Sequence, residues 1–278
     1  MINTRTPERA QNLIEQGATF KSSQEIANES DYIFLMLGHP QEVEDLLLNQ
    51  NTGILQHMKK GALLIDHSTN KPSFGEKINQ IAKQYELRTL DIPVSGAEIG
   101  AINGRLVSMV GGEKEDLKQI EEILSCYCID ISYMGKSGCG QHTKMANQMM
   151  IANTYIGIVE GLIYANKAGL RLDLMIEILK NGGAGSFLLK NQGYNTIERK
   201  FSVGFASDLF IKDVNLCLEE AKNLGLSLPG LAQASQLFMT LSEKGYGNLG
   251  PNGLLLIYEE LNNTKIEGYE KCTESSCK

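Results

Sequence analysis

Lys144 is followed three and four positions on by two side-chain amides, Asn147 and Gln148. On a helix that spacing puts all three on one face. The group then combines an ammonium that can exchange a proton with amides that can bind a carboxylate or a hydroxyl. An ordinary lysine, with a pKa of about 10.4, needs desolvation or a cationic neighbour to do this near neutrality, and taken alone Lys144 reads as a surface lysine. Ser95 and Gly96 directly follow an apolar run. A glycine at the carboxyl end of a strand lets backbone N–H groups face an anion, although a plain turn after Pro93 would use the same residues. Thr69 ends another such run, and as a helix N-cap before Pro72 it would need no ligand. Lys212 and Asp213, as a generic exposed ion pair, would contribute only about 0 to 1 kcal/mol. One formal G-x-G-x-x-G, a pattern suited to holding a pyrophosphate over a helix N-terminus, occurs at Gly245, Gly247 and Gly250. It follows a helical stretch instead of a strand and has Pro251 directly behind it, so it is set aside. His39, His67 and His142 have no ligand spacing, and Cys126-x-Cys128 and Cys272-x4-Cys277 lack a second ligand pair, so no metal is expected and the thiols read as free.

The chain that must position these groups has 278 residues, room for about two domains. Its net charge of -7 and the lack of any concentrated Lys/Arg stripe argue against nucleic acid. Its apolar runs fall far short of the 18 or so residues a membrane span requires. Up to about residue 136, strand and helix signals alternate. Apolar runs at 31–37, 61–66, 87–94, 105–112 and 128–135 are separated by helical patterns beginning with PERAQNLIEQ, whose Pro7 and Gly17 mark start and stop. Continuous apolar strands in such alternation indicate βαβ units and a largely parallel sheet covered on both faces. Residues 137–263 carry only helical periods, including a proline-free run from the region of Gln141 to Gly169, and a polar tail occupies 264–278. An α/β domain of this kind binds ligands at the carboxyl ends of its strands. There, Arg5 and Thr6 would end a first strand stub where an adenosine ribose sits, and an arginine suits a 2′-phosphate; Leu37 and Gly38 would end the next strand.

DIPVSGAEIGAINGRLVSMVGG (91–112) resembles the substrate loop of the β-hydroxyacid dehydrogenases, the family of 3-hydroxyisobutyrate dehydrogenase and tartronate semialdehyde reductase. GKSGCGQHTKMANQ (135–148) is similar to the family's catalytic-helix motif, and IDHSTNKP (65–72) and FASDLFIKDVNLCLEEA (205–221) match two further blocks in the same order. The resemblance implies a Rossmann-type NAD(P)-binding domain followed by an all-α domain, and NAD(P)-dependent interconversion of a β-hydroxy acid and its semialdehyde. It makes Lys144 the general acid/base and Ser95, Gly96, Asn147 and Gln148 the holders of the substrate carboxylate. Arg5, Thr6, Leu37, Gly38, Thr69, Phe205 and Lys212 become cofactor contacts, with Asp213 orienting its helix, Ser186 beside Phe205 in the pocket wall, and Gly100 and Gly104 tightening the substrate loop.

Two departures stand out. The family's opening strand and glycine-rich turn, roughly 25–30 residues of a βαβ entry, have no counterpart in this sequence, and Gln148 stands where many members have a second asparagine. A non-catalytic paralogue, or a true start lying upstream, is therefore the alternative to an active enzyme. A small carboxylate substrate, a homo-oligomer and a cytoplasmic location are expected, with a mitochondrial one if residues precede Met1. Arg5 favours NADP over NAD.

Overall fold

The computed structural model describes residues 1–201 and 204–268. Most of the polar tail, with Cys272 and Cys277, lies outside them. The chain forms two compact units, Met1–Lys144 and Met145–Lys278.

The first unit opens with a 3₁₀ turn, Pro7–Ala10, leading into α1 (Gln11–Glu15). A helix the periodicity did not indicate, α2 (Ser23–Glu29), follows. It starts on a capping box in which Ser22 Oγ accepts from the Glu25 N–H and the Glu25 carboxylate accepts from the Ser22 N–H. Then come β1 (Tyr32–Leu35), α3 (Pro40–Leu48), β2 (Leu63–Asp66), α4 (Pro72–Gln84), β3 (Arg88–Asp91), β4 (Val94–Ser95), α5 (Ala97–Ile102), β5 (Leu106–Gly112), α6 (Lys114–Ser125) and β6 (Cys128–Gly135). α7 (Cys139–Lys167) begins in this unit. The strands β1, β2 and β3 are parallel, with Leu35, Asp66 and Asp91 in register at their carboxyl ends.

The sheet is less parallel than expected, because β5 runs antiparallel to β3 and β4 and only then pairs in parallel with β6. Between β4 and β5 lie only the ten residues Gly96–Arg105. A parallel return needs a crossover of about a dozen residues or more, so this segment folds back instead. β3 and β4 lie on one line against β5: Asp91 pairs with Gly111, Val94 with Ser108, and the Met109 N–H bonds to the Pro93 carbonyl at 3.1 Å between them. Pro93, having no N–H to give, interrupts what the sequence shows as one strand.

β2 is buried on both faces, as its unbroken apolar run requires. Leu64 joins Ile33, Leu35, Val43 and Ile78 on one side, while Leu63 and Ile65 join Leu90, Val110 and Ile120 on the other. β1 ends the strand order and differs: Ile33 and Leu35 are buried, but Tyr32 and Phe34 are each 38% exposed.

The second unit contains the rest of α7 with α8 (Leu172–Leu179), α9 (Phe187–Ile197), α10 (Ser207–Asn223), α11 (Pro229–Leu241) and α12 (Leu254–Leu261). Its core closes around Tyr155, Phe210 and Phe238, with ring centroids 4.9–6.3 Å apart in edge-to-face contacts. Gly245, Gly247 and Gly250 follow α11, as the sequence indicates. A Cβ on Gly247 would fall 2.1 Å from Asp208 Oδ1, so this glycine serves close packing. No helix among the described residues is long and apolar enough to cross a membrane.

Candidate active site

In the first unit Lys144 is 8% exposed, and its Nζ donates to the Val94 carbonyl at 2.8 Å. The lysine is therefore not a surface residue; it reaches the strand residue immediately before Ser95 and Gly96. There the backbone leaves the β region: Gly96 has φ +132° and Ala97 φ +55°. A left-handed alanine is strained, and such strain persists only where its surroundings impose it. The geometry turns the chain sharply at the carboxyl end of the β3–β4 line, where Lys144 arrives.

Two neighbouring strand ends are tied together here. The Leu37 N–H, just past β1, donates to Ser68 Oγ at 2.9 Å. Gln141 on α7 clasps the segment past β2 from both sides: its Nε2 donates to the Ser68 carbonyl at 2.8 Å, and its Oε1 accepts the Asn70 N–H at 2.9 Å. Thr69 lies between those two bonds. It is not the N-cap of α4, because that position falls two residues later, at Lys71.

Beneath this segment sit two carboxyls that the residue-type reading passed over. Asp91 accepts the Gly138 N–H at 2.8 Å and the Gln141 N–H at 3.0 Å, capping α7. Burial raises its pKa, against the pull of those N–H groups. Asp66 is pushed up to about 6, first by burial and further by the charge of Asp91, while the hydroxyl and N–H of Ser68 and the Asn70 side chain draw it down. The adjoining cavity, lined by Asp66, Asp91, Asn70 and Gln141, has a volume of about 20 Å³. That admits one water molecule and no organic acid. The apolar strand endings LLID and TLD carried the signal that would have found both residues.

β6 leads through Gly135, Gly138 and Gly140 into α7, a strand, glycine turn and helix in succession. The N-terminus of that helix nevertheless holds Asp91, so it is closed to a phosphate. A Cβ on Gly140 would lie 2.4 Å from the Asp91 carbonyl oxygen.

His67 is also structural. Its Nδ1 lies 2.6 Å from the Ile92 carbonyl, which can only accept, so Nδ1 carries the proton and Nε2 accepts from the Tyr127 hydroxyl at 2.9 Å. Burial lowers its pKa and favours this neutral form. His39 and His142 are exposed, and among the described residues no three His, Cys, Asp or Glu side chains gather at metal-binding distance.

Arg5 is exposed, and its guanidinium rests on Glu42. The same carboxylate accepts the His39 N–H at 3.2 Å, which keeps Arg5 next to the segment that begins with Leu37 and Gly38. Despite a desolvation cost, the His39 N–H and Arg5 hold Glu42 below the ordinary carboxylate range. Thr6 is the exposed N-cap of the first turn.

In the second unit Asn147, Gln148, Asp213 and Lys212 form one chain of contacts. Asn147 Nδ2 donates to Gln148 Oε1 at 2.7 Å, Gln148 Nε2 donates to Asp213 Oδ2 at 2.6 Å, and Lys212 Nζ lies 2.8 Å from Asp213 Oδ1. Gln148 and Asp213 are buried. The pair at 212–213 is thus no exposed ion pair. Phe205 is half-buried against Phe210, and Ser186 caps α9 through its Oγ.

The carboxyl ends of β1 and β2 are where an open α/β sheet takes a nucleotide. Arg5 offers a guanidinium suited to a phosphate, and Gly38 and Thr69 follow those two strands. Among the described residues no strand leads into a G-x-G-x-x-G turn.

A mixed-sheet α/β unit of the Rossmann type followed by a helical one is the plan of an NAD(P)-dependent dehydrogenase. Residues 1–135 match the NAD binding domain of 6-phosphogluconate dehydrogenase, and residues 138–256 match the NAD-binding domain of NADP-dependent 3-hydroxyisobutyrate dehydrogenase. The probable 3-hydroxyisobutyrate dehydrogenase-like 1 of Arabidopsis thaliana is 40% identical over 96% of this chain and 80% of its own length. The 2-hydroxy-3-oxopropionate reductase of Escherichia coli (strain K12) is 33% identical over 92% of this chain and 88% of its own. In fold, the chain is similar to the crystal structure of 3-hydroxyisobutyrate dehydrogenase from Salmonella typhimurium, with a TM-score of 0.83, 24% identity, and coverage of 92% of this chain and 90% of that one. The chain belongs to the β-hydroxyacid dehydrogenase family and is an NAD(P)-dependent hydroxyacid dehydrogenase.

Proposed function

We propose that the protein interconverts a 3-hydroxy acid, of the size of 3-hydroxyisobutyrate, and its semialdehyde, with Lys144 as the general acid/base. The observation that carries this reading is the buried Lys144 side chain, whose Nζ lies 2.8 Å from the Val94 carbonyl at the threshold of Ser95 and Gly96 and can take up a proton in its neutral amine form and release one as the ammonium. In oxidation, Lys144 takes the proton from the substrate hydroxyl oxygen, and in reduction it returns a proton to that oxygen. The Ser95 hydroxyl, the N–H groups around Gly96, and the side-chain amides of Asn147 and Gln148 hold the carboxylate. Arg5, Thr6, Leu37, Gly38, Thr69, Phe205 and Lys212 hold the nucleotide, and Arg5 directs the preference to NADP. Bound NAD(P) supplies or accepts the hydride. The helical unit carries the subunit contacts of a homo-oligomer, supported by Met150, Tyr164 and Ile178, each more than 70% exposed. The working location is the cytoplasm.

The test is a titration of the full chain with NADPH and NADH, followed by turnover of 3-hydroxy acids. We expect micromolar binding, and a loss of turnover on the order of 10²–10⁴-fold in Lys144→Ala. Folded protein that binds neither nucleotide at millimolar concentration overturns the reading and leaves the family fold without its chemistry.

A further inference from the structure

We infer that Asp213 is a positioning residue, whose buried carboxylate fixes the direction of the Gln148 amide and, through it, the N–H donors that Asn147 and Gln148 present to a substrate carboxylate. This rests on the proposed role of those two amides as carboxylate holders.

The argument is one of hydrogen-bond polarity. An ionised carboxylate only accepts, whereas a primary amide has one accepting end and one donating end. Asp213 is 2% exposed and Gln148 3%, so neither can turn to water for an alternative partner. Gln148 must direct Nε2 at Asp213 Oδ2, which it does at 2.6 Å, and its Oε1 is thereby turned to the opposite side. There Oε1 accepts from Asn147 Nδ2 at 2.7 Å, so the second amide is aligned by the first. A flipped Gln148 would set its oxygen against the carboxylate and its NH₂ against the NH₂ of Asn147, which makes two repulsive contacts in place of two bonds. Lys212, 2.8 Å from Oδ1, supplies the counter-charge that a buried carboxylate requires.

The helix contact itself does not need this carboxylate. α7 and α10 also meet through Cys217 and Met145, with Sγ 3.5 Å from the Met145 carbonyl, and through the ring pair Tyr155 and Phe210. What Asp213 adds is direction. Asp213→Asn keeps the volume but offers both a donor and an acceptor, so either orientation of Gln148 becomes satisfiable. Asp213→Glu keeps the acceptor-only character.

The experiment uses the full chain, with the Gln148 side-chain amide resonances assigned by their loss in Gln148→Leu, and 3-hydroxyisobutyrate with NADPH or NADH for kinetics. In Asp213→Asn we expect the Gln148 amide pair to shift or double and the KM for the acid to rise about tenfold, the effect of about one hydrogen bond, with kcat within about threefold. Asp213→Glu should recover the greater part of both. An unmoved Gln148 resonance in folded Asp213→Asn overturns the inference. So does an equal loss of activity in both variants that follows their melting temperatures. Should the wild type turn over no 3-hydroxy acid, the proposed function fails separately, and the amide resonances still decide whether Asp213 sets the direction of Gln148.

Discussion

The pH dependence of stability should be governed in part by Asp66, and Asp66→Asn isolates that contribution. Its pKa is raised from 3.8 to about 6 because the carboxyl is packed against protein next to Asp91. A carboxyl whose folded pKa lies above its unfolded one adds stability at low pH, and this is lost as pH rises through the interval between the two values. Roughly two pH units at 1.36 kcal/mol each set the full effect at about 3 kcal/mol. Of this, about 2 kcal/mol falls between about pH 4.5 and about pH 8, most of it below about pH 6. Asparagine at position 66 retains an acceptor for the Ser68 N–H, which bonds Asp66 Oδ1 at 2.8 Å, but cannot ionise. Urea unfolding followed by circular dichroism across that range should therefore show Asp66→Asn gaining on the wild type by about 2 kcal/mol as pH rises. A difference between the two proteins that stays level within about 0.5 kcal/mol would refute the assignment of a desolvated, ionisable carboxyl at this position.

Three further outcomes follow from the same geometry. Gly140→Ala would drive a Cβ against two backbone carbonyls, 2.4 Å from that of Asp91 and 2.5 Å from that of Met109, and should cost on the order of 3 kcal/mol in urea titrations. Tyr127→Phe removes the hydroxyl that satisfies His67 Nε2 and should destabilise by about 1–3 kcal/mol; because burial lowers the His67 pKa, the stability tied to its neutral form is present above about pH 6.5 and lost as pH falls below it. Arg5→Ala should weaken NADPH about tenfold and leave NADH within about twofold by fluorescence titration; equal changes for both nucleotides would remove Arg5 from 2′-phosphate recognition.

The places in the fold of many candidate site residues could be read in the sequence because their signals are local. Lys144, Asn147 and Gln148 are separated by one helical turn, and Gly38, Thr69 and Ser95 each follow an apolar run, so their placement at strand ends required only periodicity. The partners of Asp91, Gln141 and Asp213 could not be read in this way, although the strand ending TLD marks the place of Asp91. They lie 47–73 residues away for the first two and 65 for the third, and an aspartate's type does not say whether it will cap a helix, bind an amide or face water. Asp213 reads beside Lys212 as an ordinary surface pair, and only its burial against α7 makes it the acceptor that Gln148 meets. Thr69 erred in the other direction, since its distance from Pro72 suggested an N-cap that the helix places on Lys71.

The sequence by itself determined the two-part plan, the strand–helix alternation and the family, because hydrophobic period and ordered motifs are properties of consecutive residues. Tertiary structure alone decided the antiparallel return of β5, the strained turn at Gly96 and Ala97, and the depth at which Lys144 is held. Each depends on which distant backbone groups need partners once water is excluded. The Val94 carbonyl that receives Lys144 and the carboxylate that aligns Gln148 become partners of those groups only when the chain has closed around them.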